Sequence, residues 1–317
     1  DGYDDLFVGS RSIPGGYGLS PHSYIIKNTR DGNFEPIVQS RLGMITDAKW
    51  ANIDLDPEFE LVVIGDWTPI IVIDKNDDGN FVALPLKGGE NYYGLWNTIE
   101  LADINNDGKV DILAGNAGKN FKWQPTIESP VYLYIDDFDE NEQSDPIIFY
   151  NLFGTYRPFN TKDNLGAQMP MIKKRFNKYK DFSKVKTIEK LTGKEEKNIL
   201  EIKKITELRS MSFINKGDDF EPIPLPLESQ WSSIQDFYWD QKTKEIYYVG
   251  NSEEFVTELG SQNANPGGII DFNHQMIHKE FLPLPIRLNL RKVIKLNPNS
   301  VILIANDDYM YILTKHK

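Results

Sequence analysis

No cysteine occurs anywhere in the chain, which excludes a disulfide scaffold, thiolate metal sites and cysteine nucleophiles. The compartment stays open, because a secreted protein can lack disulfides. Histidine is scarce: His22, His274, His278 and His316 are the only four. His274 and His278 have the spacing of a helical metal pair. Their neighbours Met276, Ile277 and Phe281 read as strand, where residues four apart are separated by about two pleat repeats. Basic charge is in deficit, with 35 Lys and Arg against 47 Asp and Glu and a net charge of -12. That balance argues against general nucleic-acid binding, which needs phosphate neutralisation. No apolar run approaches the roughly 18 residues of a membrane span, and no signal-peptide pattern opens the chain. There is no His-Glu-x-x-His, nucleophile elbow, phosphate-cradling loop or dinucleotide fingerprint. The glycine run Gly15, Gly16 and Gly18 lacks a strand-to-helix context. The chain opens on Asp1 rather than Met, as a mature product or a fragment does. Its 317 residues are enough for one large domain or two smaller ones.

The charge that is present is unevenly placed. Residues 171–204 hold twelve Lys and Arg against five Asp and Glu, a net of +7, so the remainder carries -19. The acids of that remainder sit in short Asp/Asn/Gly-rich stretches between apolar strands. A solvated negative blanket would look different, so the clustering suggests that the acids coordinate something.

Short units recur. Asp31-Gly32-Asn33-Phe34 returns as Asp78-Gly79-Asn80-Phe81, an offset of 47, and in degenerate form as Gly217-Asp218-Asp219-Phe220. Each lies between apolar, β-branched runs and reads as a hairpin turn. A second unit runs from Ala102 to Gly115, has a cousin from Ala51 to Gly65, and opens the chain as a partial copy from Asp1 to Gly9. A unit of roughly 45 to 55 residues with four short strands fits a blade of a β-propeller. Residues 231–251 with 268–282 form another such unit, and residues 286–314 an incomplete last one. The expectation is an all-β propeller of about six units, with a plain β-sandwich as runner-up. One segment departs from it. Between Thr161 and Lys204, Leu165, Met169, Ile172 and Phe176, then Phe182, Val185, Ile188 and Leu191, fall near helical spacing, and Gly193 is a helix stop. The expected organisation is therefore blades over 1–160, a Lys-rich α-helical insertion over 161–204, and further blades over 205–317.

The acidic loops carry the most specific chemistry. Asp103, Asn105, Asp107 and Asp111 place oxygens at loop positions 1, 3, 5 and 9, and the Lys109 carbonyl stands at position 7. Gly108 at position 6 permits the sharp turn. Hard oxygen ligands in this frame suit Ca²⁺. The position-12 glutamate of an EF-hand is missing and strands flank the loop, so the reading is a β-hairpin calcium loop. Asp137, Asp139, Asn141, Gln143 and Asp145 repeat the frame with Glu142 in the glycine place. Asn52, Asp54, Asp56 and Glu60 repeat it with Pro57 there, and proline cannot adopt positive φ. Asp1 and Asp5 occupy positions 5 and 9 of a loop whose first half is missing. Around Asp236, Tyr238, Asp240 and Glu245 most ligands are lost, and that copy reads as a dead loop.

These D-x-D/N-x-D-G-x-x-D hairpins resemble the FG-GAP/VCBS repeats of integrin-type β-propellers. Residues 7–17, 21–24, 43–48, 94–97, 115–120 and 137–146, the helical insert and Gly250-Asn251 are similar to VCBS-repeat proteins that accompany an ASPIC/UnbV domain. The resemblance spans nearly the whole chain. It implies the C-terminal part of a longer extracytoplasmic protein, often a bacterial surface lipoprotein associated with the outer membrane, whose loops bind Ca²⁺ structurally. It brings no catalytic residue set. Pro57, Glu142 and the lost loop near Asp240 depart from the pattern.

Two functional classes follow. The first is a non-catalytic, calcium-stabilised scaffold that presents loops and the insert to a protein partner or a surface glycan, with upstream residues of the same protein completing the fold. The second is an extracellular polysaccharide lyase or hydrolase with carboxylates and tyrosines in a central funnel. Since the best acidic clusters have metal-loop spacing and no unassigned acid pair stands out, the scaffold is preferred. The tryptophans read mainly as filling between blades. The basic insert, which has the charge to meet an acidic partner or a lipid headgroup surface, reads as the solvated face of an amphipathic helix.

Overall fold

The structure is a computed structural model, and it describes residues 3–253, 257–272, 276–285 and 288–314. Asp1, His274 and His316 lie outside the described residues. The chain is predominantly β, with antiparallel sheets of three to five strands.

The first sheet joins β1 (Leu6–Val8), β2 (Ser23–Asn28) and β3 (Phe34–Ser40). The second joins β4 (Met44–Ala51), β5 (Glu60–Thr68), β6 (Ile71–Lys75) and β7 (Phe81–Pro85), with the short β8 (Gly94–Leu95) added to β5. The third begins with β9 (Thr98–Ala102) and β10 (Asp111–Gly115). The chain then builds a fourth sheet from β11 (Val131–Asp136), β12 (Asp145–Leu152) and β13 (Thr155–Pro158). Four short helices follow: α1 (Lys162–Gln168), α2 (Pro170–Arg175), α3 (Tyr179–Phe182) and α4 (Ile188–Thr192). The strand β14 (Glu201–Ile205) closes the fourth sheet on β11. Only then do β15 (Met211–Asn215) and β16 (Phe220–Pro224) complete the third sheet, with β15 paired to β10. The fifth sheet is β17 (Ile234–Asp240), β18 (Glu245–Gly250), β19 (Gly268–Asp271) and β20 (Ile277–Phe281). The sixth is β21 (Leu290–Asn297), β22 (Ser300–Ala305) and β23 (Met310–Thr314).

The chain forms two compact units, each built from more than one stretch of sequence. One comprises residues 1–44 and 123–207, the other residues 45–122 and 208–317. The helical stretch ends earlier than Lys204, because Glu201 already pairs with Ile135 in the fourth sheet.

In the second unit, the second, third, fifth and sixth sheets share faces. Ile112 and Ala114 of β10 join a core with Val62, Ile64, Trp96 and Phe213. Leu113, on the opposite face, joins one with Ile234, Phe237, Ile246 and Tyr248. The fifth sheet turns Tyr247, Val249 and Ile269 toward Val293, Val301 and Leu303 of the sixth. Strands covered on both faces need apolar residues at successive positions, as Leu61 to Ile64 supply. At one edge, β17 lies beside β9 and β21.

In the first unit the helices pack on one face of the fourth sheet. Leu165, Met169, Ile172, Phe176, Val185, Ile188 and Leu191 form a core with Tyr134, Ile147 and Phe149. Thr161 caps α1 through its side chain, and Gly193 ends α4 at φ 91, as its sequence position suggests.

The hairpin turns share an Asn that the repeats did not single out. The side-chain oxygens of Asn28, Asn76 and Asn215 accept from the N–H of Arg30, Asp78 and Gly217. This is the Asx-turn that lets the chain reverse. Among the tryptophans, Trp67 lies near the end of β5, and Trp231 lies outside the strands.

Candidate metal centres

Each acidic loop joins two antiparallel strands and is organised by the same contacts. The carboxylate at position 9, the first residue of the second strand, folds back to accept the N–H of position 2. Asp111 accepts from Ile104 at 3.0 Å, Asp145 from Phe138 at 3.2 Å and Glu60 from Ile53 at 2.7 Å. At position 1, Asp103 accepts from Asp107 and Gly108, and Asp137 accepts from Asn141 and Glu142. At position 3, Asn105 and Asp54 accept from Asp107 and Asp56. Lys109 and Gln143 at position 7 donate back to Asp107 and Asn141. Asn52 accepts from Leu55 at 2.7 Å.

The turn requirement is wider than the one expected at position 6. Position 4 is left-handed in all three loops, at Leu55 (φ 70), Asn106 (φ 63) and Glu140 (φ 61). Position 6 is left-handed at Gly108 and Glu142. The 52–60 loop keeps the left-handed residue at position 4 and, with Pro57 at position 6, forgoes the second one. Left-handed geometry at a non-glycine costs about 1 kcal/mol, so Leu55 and the two glutamates are held there by the loops' contacts.

The loops differ in how completely their carboxylates are satisfied. Asp54, Asp56 and Glu60 each offer an oxygen within 4.8 Å of the others, and so do Asp137, Asp139 and Asp145. Glu60 is 1% exposed, and its Oε1 has no hydrogen-bond partner. Asp139 Oδ1 is likewise buried and unpartnered. The 103–111 loop, the best match by sequence, has Asn105 in place of one carboxylate. Its buried Asp111 accepts from Asn215 N–H at 2.8 Å as well as from Ile104. Asp145 receives the Gln168 side chain from α1 at 2.8 Å. Asp5 accepts the N–H of Asn28 at 2.9 Å, as Asp111 does with Asn215. In the dead loop a lysine stands where a cation would: Lys295 lies 2.7 Å from Asp240, and Lys279 contacts the buried Glu245.

Asn215 ties two loops together. Its side-chain N–H groups donate to the carbonyls of Ile53 and Val110, while its backbone N–H reaches Asp111. Asn215→Ala leaves buried carbonyls unpaired, and the expected loss is about 2–3 kcal/mol. Urea denaturation with an unchanged m-value would register it as a shifted midpoint.

Burial pushes Glu60 up to about 7, with Asp54 and Asp74 adding to the rise and the Ile53 N–H opposing it. Burial pushes Asp111 up to about 6 and also raises Asp145. These groups hold protons in the folded chain that the unfolded chain releases near its ordinary carboxylate values. Without a cation, that stabilising contribution is full below about pH 4.5 and is lost as pH rises through 7. Cation binding must expel the same protons. Calorimetry of calcium binding near pH 6.5, in buffers of different ionisation enthalpy, should show proton release. Buffer-independent heats would contradict it.

A further charged cluster joins Asp236 of the dead loop to residues outside any loop frame. Lys49 meets Glu100 at 2.5 Å, and Lys292 meets Asp236 at 2.8 Å. Asp47 accepts the Ile99 N–H at 3.0 Å, and Asp236 accepts that of Val293 at 2.9 Å. These residues lie on β4, β9, β17 and β21, and each acid ties the edge strand of one sheet to that of the next. Widely separated in sequence, they carry no spacing signal.

No family model matches the chain, and no curated protein matches it. Among solved structures it is similar to Sqt1 of Saccharomyces cerevisiae, at 11% identity and a TM-score of 0.42. The similarity covers 93% of this chain and 54% of that one, so the chain spans about half the length of that protein.

Proposed function

We propose that the chain is a non-catalytic, calcium-stabilised scaffold of the FG-GAP/VCBS β-propeller kind, which presents loops and its helical segment to a protein or glycan partner at the cell surface. The observation that carries this is the 52–60 loop: three carboxylates drawn within 4.8 Å, one buried with an unpartnered oxygen. The donors are all hard oxygens, the set that suits Ca²⁺. Asp54, Asp56 and Glu60 would hold one ion, and Asp137, Asp139 and Asp145 a second. A bound ion offsets the repulsion between strands that converge on the loop, so binding free energy becomes folding free energy.

The propeller reading is supported by sheets stacked face to face with their first strands along a common edge. The third sheet fits it with residues 116–210 as an excursion between its second and third strands. The enzyme reading has less support, because Glu100 and Asp236 are each paired with a lysine, and Asp47 and Asp236 each accept a backbone N–H. A cell-surface location agrees with weak calcium loops, which fill at roughly 10⁻⁴ to 10⁻³ M.

The test is thermal unfolding with and without chelator. EDTA should lower the midpoint, and excess calcium, but not magnesium at equal concentration, should restore it. A midpoint indifferent to chelation overturns the calcium reading. Cleavage of charged polysaccharides by the purified chain overturns the non-catalytic one.

A further inference from the structure

The hairpin between β12 and β13 turns on Phe153 and Gly154, with φ of 51 and 79. Two successive left-handed residues make the type I′ turn, whose favoured pair is Asn-Gly. Here the first place holds a phenylalanine that is 99% exposed, next to a Leu152 that is 40% exposed. The turn is held firmly: Asn151 accepts the Gly154 N–H at 2.8 Å and donates to Ser129 at 2.7 Å. An aromatic ring is thus presented to solvent at a position where local geometry favours a polar residue.

The basic surface lies close to this tip. Arg157 of β13 donates to the carbonyls of Ser183 and Val185, between α3 and α4. The flanking Lys184 and Lys186 are exposed. Arg157 is three residues from Gly154, roughly 10 Å along the strand. Lys184 has Asp181 at 3.2 Å as a surface partner. Lys173, Lys174, Lys178, Lys186 and Lys190 are exposed without an ion pair among the described residues. The acids of this stretch are Asp181, Glu189, Glu195, Glu196 and Glu201, which leave the net of +7 over residues 171–204.

We propose that this face of the first unit docks on an anionic phospholipid surface, with Phe153 and Leu152 entering the headgroup region and the lysines between α2 and α4 neutralising lipid charge. Basic residues alone would serve any polyanion. The exposed apolar tip beside them selects a lipid surface, because a soluble polysulfate offers no apolar layer in which to bury a phenyl ring. The contact is peripheral, and no described helix is long and apolar enough to cross a membrane.

The test is co-sedimentation with vesicles of phosphatidylcholine, and of phosphatidylcholine with one third phosphatidylglycerol. The wild-type chain should bind the anionic vesicles, ignore the neutral ones and be released by salt. Phe153→Asn should lower the partition coefficient about tenfold while leaving the thermal midpoint unchanged or higher, since Asn suits the turn. Lys184→Glu with Lys186→Glu should lower partition about twentyfold or more. Absence of binding to anionic vesicles overturns the proposal, as does binding undiminished in Phe153→Asn. A loss of thermal stability in Phe153→Asn also overturns it, by making the ring structural. Heparin binding that is equal in wild type and Phe153→Asn, without vesicle binding, assigns the patch to a soluble polyanion and overturns it too.

Discussion

Glu60→Gln is expected to raise the thermal midpoint of the calcium-free protein and to abolish most of the rise that calcium gives the wild-type chain. Glu60 is buried at the head of β5, and the one hydrogen bond to its carboxylate among the described residues comes from Ile53 N–H. Burial, Asp54 and Asp74 hold its carboxyl near 7, so above that pH the metal-free fold carries a charge it would rather neutralise. Glutamine keeps an acceptor for Ile53, removes the charge and turns an N–H toward the neighbouring carboxylates. The relief is on the order of 2 kcal/mol. In the wild-type chain, calcium at a hundredfold excess over its dissociation constant stabilises a site by about 2.7 kcal/mol, a shift of about 5–10 °C. The variant should therefore melt higher than wild type in EDTA and lower than wild type in calcium. Differential scanning calorimetry of both proteins in both buffers reads the crossing directly. Curves that move in parallel would place the ion elsewhere.

The second large effect is at Trp96. Its side chain is 0% exposed, its indole N–H donates to the Thr68 carbonyl at 3.0 Å, and its ring meets Phe213 edge-on. It belongs to one buried cluster with Val62 and Ile64 of the second sheet and Ile112 and Phe213 of the third. Trp96→Ala removes that contact and orphans a buried carbonyl, and should destabilise by about 3–5 kcal/mol. Because Asn215 links the same sheets to the 52–60 and 103–111 loops, the loss should extend to calcium affinity. Trp96→Phe, which keeps most of the volume but not the N–H, should lose less than half as much. Chemical denaturation of the two variants separates packing from the hydrogen bond.

Much of this architecture is legible in local sequence, and the illegible part has a common cause. The turns at Gly32, Gly79 and Gly217 are set within a few residues, and so are the loop frames at 52–60, 103–111 and 137–145. The helical register of Leu165, Met169, Ile172 and Phe176 is visible because those side chains share one buried face. The pairing of β10 with β15 is not local. Nothing near Gly115 announces that its sheet resumes at Met211, and a repeat period cannot distinguish the next strand from one that returns much later. The loops mislead for a related reason. The 103–111 copy matches the ligand frame best, yet its hydrogen bonds already satisfy much of it. The need for a cation is greater in the 52–60 copy, where burial of Glu60 is decided by the sheets around it. The left-handed Leu55, Asn106 and Glu140 are invisible to a rule that looks only for glycine. The grouping of Asp47, Glu100 and Asp236 is invisible in local sequence because three separate strands bring them together.

The central proposal is that the oxygen-lined loops bind calcium and thereby stabilise the sheets that build them. Calorimetric titration of calcium into the chelator-stripped chain tests this most directly. The account predicts saturable binding at roughly 10⁻⁴ to 10⁻³ M, with the strongest site lost in Glu60→Gln and a parallel rise in melting temperature. No saturable heat and no change in melting temperature up to about 10 mM calcium, a hundredfold excess over the tighter value, would contradict it.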